Sequence, residues 1–237
     1  MSEKRGNSIL QARNRKILYA ADFIEHCGTN REGGGTGRVI EISPSRNCCS
    51  PSGTFRMFEF YPGLVSSIGL DHLISSFDLS KNKDDLKGPR RYGEIIASRW
   101  RLSPMNPELF PVSWKERVFS GEVLTPMGNI ELHTTHIPPG SVHGWVKIEI
   151  LEGIYKRLAR RSEVPRILCG DLNAPQEERP DGLVLTRAQR FSAKGEVQYR
   201  KYRGERWEQK ERNILLGLVN FDLLDVYRNL HGYAVQE

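Results

Sequence analysis

The sequence predicts a mixed α/β fold built in layers. Three observations carry this expectation. Two alternating segments, Val118 to Leu124 and Asn129 to Thr135, are joined by Thr125, Pro126, Met127 and Gly128, the pattern of a β-hairpin. Lys147 to Arg160 places Ile148, Leu151, Ile154, Tyr155 and Leu158 at helical spacing. The short apolar run Arg166 to Cys169 follows Pro165 and is closed by Gly170, as expected of a buried strand that ends in an abrupt turn.

The remaining elements follow in chain order. Ile17 to Glu25 fits either a short strand or a turn of helix. Gly28 to Arg38 and Ser43 to Gly53 are rich in chain-breaking residues and poor in apolar periodicity, so both are expected to be loop. Gly33, Gly34, Gly35 and Gly37 lack the Lys-Ser/Thr pair that follows the glycines of a phosphate-cradling loop. Residues 1–57 are therefore expected to be poorly structured or foreign to the fold, with the domain proper at 58–237. Within that domain a helix is expected over Gly63 to Gly69, a strand at His72 to Ser76 and a charged loop over Lys81 to Arg91. Tyr92 to Ser98 reads as an apolar strand closed by the turn residues Ser103 and Pro104. Pro138, Pro139 and Gly140 break the pattern between hairpin and helix. Towards the C-terminus, Glu211 to Leu218 is expected to be helical, and Phe221 to Leu230 fits a strand or a short helix.

Composition narrows the class of protein. At 237 residues the chain is long enough for one large domain. No apolar run reaches the roughly 18 residues that cross a bilayer, so no membrane span is expected. Met1 to Leu18 carries Lys4, Arg5, Arg13, Arg15 and Lys16 without the apolar core of a secretory signal. Four cysteines, two of them adjacent at Cys48 and Cys49, suit a reduced compartment better than a zinc site. The expectation is an intracellular, cytoplasmic monomer. A net charge of +6 is compatible with a polyanionic partner and with ordinary solubility.

Chemistry concentrates at Asp171 and Asn173. Attack on a phosphate ester needs a cation to neutralise developing charge and a carboxylate or base to present water. Asp171 has the means for the second task, and the Asn173 amide two residues later could donate to a phosphate oxygen. Taken alone, Gly-Asp and Asn-Ala-Pro favour a tight turn.

Four segments alter that balance. Tyr92 to Leu102 (YGEIIASRWRL), Leu132 to Gly140 (LHTTHIPPG), Arg166 to Pro175 (RILCGDLNAP) and Phe221 to Tyr233 (FDLLDVYRNLHGY) together resemble, in this order, the core of the endonuclease/exonuclease/phosphatase superfamily, whose best-known branch is exonuclease III. The resemblance implies a sandwich of two mixed β-sheets flanked by helices, incomplete here. It also implies a metal-dependent phosphodiester or phosphomonoester hydrolase using one or two Mg2+ or Mn2+ ions, with DNA or RNA among its candidate substrates. Asp171 and Asn173 would be catalytic and metal-binding, and His136 would stand beside the scissile phosphate. Ser98 and Arg99 would support the substrate. Residues three apart on a strand face opposite ways, so His133 and His136 are not expected to chelate one metal together. His143 is unassigned, Cys169 reads as core, and Asp225 with Arg228 reads as a local helical pair.

The resemblance has gaps. The family begins with a strand ending in Asn and a second ending in Gln-Glu, and neither is found before Phe58. The Asp-His pair that ends the family pattern is likewise not found, and Asp71-His72 precedes the central motifs. Feeble or absent turnover is expected on these grounds. A second reading makes the chain a non-catalytic nucleic-acid-binding module. It rests on Arg187 to Arg212, where Arg190, Lys194, Arg200, Lys201 and Arg203 alternate with Phe191, Tyr199, Tyr202 and Trp207. The competing reading of that segment is a solvated loop diluted by Glu196, Glu205, Glu208 and Glu211.

Overall fold

In the computed structural model, which describes residues 18–21, 40–41, 63, 66–79, 90 and 92–233, the chain alternates short strands with α-helices. The first strands are β1 (Leu18–Ala21), β2 (Ile40–Glu41), β3 (His72–Ser75), β4 (Ile95–Ser98) and β5 (Leu102–Pro104). The long hairpin β6 (Val118–Thr125) and β7 (Gly128–His136) leads into helix α1 (Gly144–Leu158) and then β8 (Arg166–Asp171). Two small hairpins follow, β9 (Glu177–Glu178) with β10 (Val184–Leu185) and β11 (Gln189–Phe191) with β12 (Val197–Tyr199). Helix α2 (Gly204–Arg212) continues through one π-helical and one 3-10 turn into β13 (Leu224–Asp225) and α3 (Val226–His231).

The main sheet has the order β13–β1–β8–β7–β6–β5. Its first four strands are parallel, and β6 and β5 are antiparallel additions. A second, antiparallel sheet has the order β2–β4–β3. The two sheets share a core in which Ile96 of β4 packs with Phe119 and Val123 of β6, Leu132 of β7, and Ile167 and Cys169 of β8. On the other face of the main sheet, Leu168 of β8 joins Ile148, Leu151, Ile154 and Leu158 of α1 and Trp207 of α2. The architecture is an α/β sandwich: helices, a mixed sheet, and a smaller sheet.

Sequence dictates this layering through period. β8 is covered on both faces, which is why it reads as an apolar run rather than an alternation. The buried stripe of α1 has the 3.6-residue spacing, and each such aliphatic side chain contributes about 1.5–3 kcal/mol by leaving water. Arg166 is fully buried, with its guanidinium donating to the carbonyls of Leu158, Arg160 and Phe221 at 2.7–2.8 Å. It satisfies carbonyls left open where α1 ends and ties that end to the segment before β13.

Several expectations are refined. Residues 18–21 choose the strand, and β1 lies between β13 and β8, while β2 joins the second sheet. Regular structure thus reaches into residues 1–57. The loops expected at Gly28 to Arg38 and Ser43 to Gly53 lie outside the described residues, as does Lys81 to Arg91 except for Arg90. Ser103 and Pro104 are not a turn. They belong to β5, the edge of the main sheet, where proline's missing N–H costs no ladder bond. Gly170 does not end its strand, which runs on to Asp171. It holds φ +121°, and a Cβ there would stand 2.0 Å from the Thr135 carbonyl oxygen. Glycine here allows β7 and β8 to close together at their ends. Among the described residues no helix is long and apolar enough to cross a membrane.

Candidate active site at the ends of two parallel strands

β7 and β8 end in register, with His136 opposite Asp171. Each side chain continues the face of its strand that looks towards the second sheet, following Leu132 and Ile167 respectively. His136 Nε2 lies 3.8 Å from Asp171 Oδ2, and both side chains are part-exposed, at 24% and 40%. Just beyond, Asn173 takes a left-handed conformation, φ 48°, which asparagine tolerates better than most residues. Its backbone N–H donates to Asp171 Oδ1 at 2.7 Å, closing an Asx turn. Its side-chain Nδ2 donates to the Ile137 carbonyl at 2.6 Å and to Asp171 Oδ2 at 3.2 Å. Ile137 N–H donates back to Asp171 O at 2.8 Å, so both strand ends are laced into one rigid corner.

The tight turn that Gly-Asp and Asn-Ala-Pro favour is formed here. Asn173 nevertheless spends both amide hydrogens inside the protein, which differs from the phosphate-donating role drawn from its residue type. Its carbonyl Oδ1 is the side-chain atom with no protein donor among the described residues. Towards a divalent cation these residues therefore offer one carboxylate and one amide oxygen. Among the described residues no group of three or more His, Cys, Asp and Glu could hold a metal ion. Magnesium asks for near-octahedral oxygen coordination, which this pair alone does not fit.

Surroundings set the state of His136. Burial lowers its pKa first, the nearby Arg117 guanidinium lowers it further, and Asp171 opposes both. The ring is thus neutral at pH 7, a hydrogen-bonding imidazole rather than a cation. Arg117 is itself buried, donates to the His136 carbonyl at 3.3 Å, and lies 5.0 Å from the centroid of Tyr92, whose ring is 6.0 Å from that of His136. Behind them, the buried Glu94 accepts from Thr134 Oγ1 at 3.3 Å. Tyr92, Arg117 and Glu94 were not singled out from sequence. Tyr92 and Glu94 stand at the start of the Tyr92 to Leu102 segment, ahead of Ser98 and Arg99.

Other candidates fall elsewhere. Ser98 and Arg99 are not brought to the corner. Glu94 stands beside it, and β4 starts at the next residue and runs away, so that the Arg101 carbonyl accepts from Leu124 near the β6–β7 turn. Ser98 Oγ accepts from the Trp100 N–H and finishes its own strand. Asp71 precedes β3 and His72 starts it, with His72 paired to Ser98 at the same far end. His133 points to the helix face, as its spacing from His136 requires. There it meets Ser120 at 2.7 Å and Glu131 at 3.5 Å. The His143 ring lies 5.0 Å from that of Trp114 in a tilted arrangement. Asp225 Oδ1 accepts from the Arg228 N–H and caps α3.

The 187–212 segment forms a hairpin and a helix, and many of its cations are engaged internally. Arg206 and Lys210 pair with Glu152, Arg212 pairs with Glu208, and Arg200 reaches Gln189 O and Gln176. Trp207 is buried, whereas Tyr199 and Tyr202 remain exposed. Behind the strand ends, Lys147 Nζ and Arg187 Nε both donate to the Asn173 carbonyl at 2.7 Å. Lys147 also pairs with the equally buried Glu211 at 2.5 Å. Burial pulls the Lys147 pKa down while Glu211 pushes it back up. A lysine set within the apolar stripe of α1 was the sequence signal for this cluster.

No protein-family model matches the sequence, and comparison with curated proteins finds no match. Among solved structures the chain is similar to D. rerio TDP2 humanized by 14 mutations, at 10% identity and a TM-score of 0.39, covering 58% of this chain. The chain spans about half the length of that structure, 53%.

Proposed function

We propose that the chain is a phosphoric ester hydrolase whose reaction centre is the corner formed by the ends of β7 and β8. The observation that carries this reading is the register pairing of His136 with Asp171, fixed by the Asn173 turn and open to solvent. Asp171 presents water to the phosphorus, and the neutral imidazole of His136 hydrogen-bonds the phosphoryl group as its charge grows. Magnesium or manganese would supply the charge neutralisation this chemistry calls on, with Asp171 and Asn173 Oδ1 as two of the oxygens that would hold it. Phosphodiesters, nucleic acid among them, are the substrate class favoured by the resemblance of the four segments. Turnover is slow on this reading, because no Gln-Glu pair ahead of Phe58 stands where the resemblance places its principal metal ligand.

Hydrolysis of bis(p-nitrophenyl) phosphate and of single-stranded DNA, with and without Mg2+ or Mn2+, tests the proposal. Slow metal-dependent turnover is expected, falling by about 100-fold or more in Asp171→Ala. Equal rates in the two proteins would remove the site. Salt-dependent DNA binding without any hydrolysis would favour the binding-module reading instead.

A further inference from the structure

The cluster behind the corner touches neither the solvent-facing edge of Asp171 nor that of His136, yet it ends on the backbone of Asn173. Glu211 is its hub. Oε1 of this fully buried carboxylate faces Lys147 Nζ at 2.5 Å and accepts from Trp207 Nε1 at 2.9 Å. Oε2 accepts from the backbone N–H of Arg187 at 2.6 Å. Lys147 and Arg187, two of the three residues that Glu211 holds, then each deliver a cationic donor to one atom, the Asn173 carbonyl oxygen, at 2.7 Å. Trp207 closes the assembly by packing onto the loop between β7 and α1, where a Cβ at Gly140 or Gly144 would come within 2.7–2.9 Å of its ring.

Burying an ammonium and a carboxylate is costly unless both are paired and hydrogen-bonded, and aliphatic residues of similar volume would serve packing as well or better. The arrangement buys direction. A carbonyl oxygen held by two charged donors has little freedom to rotate, and Asn173 sits in a backbone conformation that needs such restraint.

We propose that Lys147 and Arg187, organised by Glu211, form a clamp on the Asn173 carbonyl that positions the Asp171–Asn173 turn for the reaction. All three are positioning residues. The assignment of a reaction to this corner rests on the proposed function, whereas the clamp on the turn does not.

The test compares the wild-type chain with Lys147→Met/Glu211→Gln, which removes both buried charges together and so avoids stranding one. Amide hydrogen exchange reads the turn directly, through the Asn173 N–H that donates to Asp171. Exchange at Asn173 is expected to quicken by about tenfold or more, while Leu168 in β8 keeps its protection. With bis(p-nitrophenyl) phosphate, kcat is expected to fall by about tenfold or more with KM within about twofold, the signature of misplaced groups rather than lost binding. A folded double variant with unchanged exchange at Asn173 and unchanged kcat overturns the clamp. If the double variant does not fold, Arg187→Met removes the second donor and leaves the ion pair. Faster exchange at Asn173 then supports the clamp, and unchanged exchange overturns it. A wild-type chain with no more hydrolysis than Asp171→Ala removes the functional reading, and the exchange result still decides the clamp.

Discussion

Asn173 carries more of the corner than any other single residue, because its conformation, its N–H, its amide and its carbonyl are each used. Substitution separates these contributions. Asn173→Gly loses the side-chain bonds but tolerates φ 48°, while Asn173→Ala adds the left-handed penalty of about 1–2 kcal/mol. Urea denaturation is expected to find the alanine variant less stable than the glycine variant by about 1 kcal/mol. Equal stabilities would mean that the turn relaxes. The tight turn at Asp171 and Asn173 was legible in the sequence because Gly-Asp and Asn-Ala-Pro favour one. Lys147, Arg187 and Glu211 were not, since their role exists only where α1, α2 and the loop before β11 meet behind β8.

At the scale of elements, the hairpin, α1 and β8 were readable because their apolar periods are unambiguous. β5 and β1 were not, since a three-residue edge strand holding proline and a four-residue strand carry too little pattern. Gly170 shows what such reading misses: its residue type suggested a stop, while the structure uses it for close approach of two strands. Gly170→Ala would drive a Cβ into the Thr135 backbone and force φ +121° on an L side chain. A loss of more than about 3 kcal/mol in unfolding free energy is expected, with Asp171 displaced as well. A variant of near-native stability would show that β7 and β8 need not approach so closely.

Over the whole molecule, layering buries titratable groups whose charge state stability must follow. His133 is fully buried on the helix face, and burial outweighs Glu131 in lowering its pKa. A depressed histidine favours the neutral ring in the folded state, so its stabilising contribution is present above the unfolded value of about 6.5 and is lost as pH falls below it. The slope reaches at most about 1.4 kcal/mol per pH unit for one such group. Glu131, held down to about 2 by the His133 imidazole beside it first and then by Arg160 and Arg157, adds a second loss as pH falls below about 4.5. Chemical denaturation between pH 7 and 5 is expected to show falling stability, with a shallower slope in His133→Gln. An unchanged slope would place the acid sensitivity elsewhere.

The central claim is that the paired ends of β7 and β8 act as one reaction centre, and a double-mutant cycle on hydrolysis of a phosphodiester measures it most directly. Asp171→Ala, His136→Ala and the combined variant are compared with the wild-type chain under one metal condition. If the two side chains serve one centre, the combined variant loses scarcely more than Asp171→Ala alone, because groups that act as a unit are not additive. Losses that simply multiply, or a His136→Ala rate equal to wild type, would contradict the account.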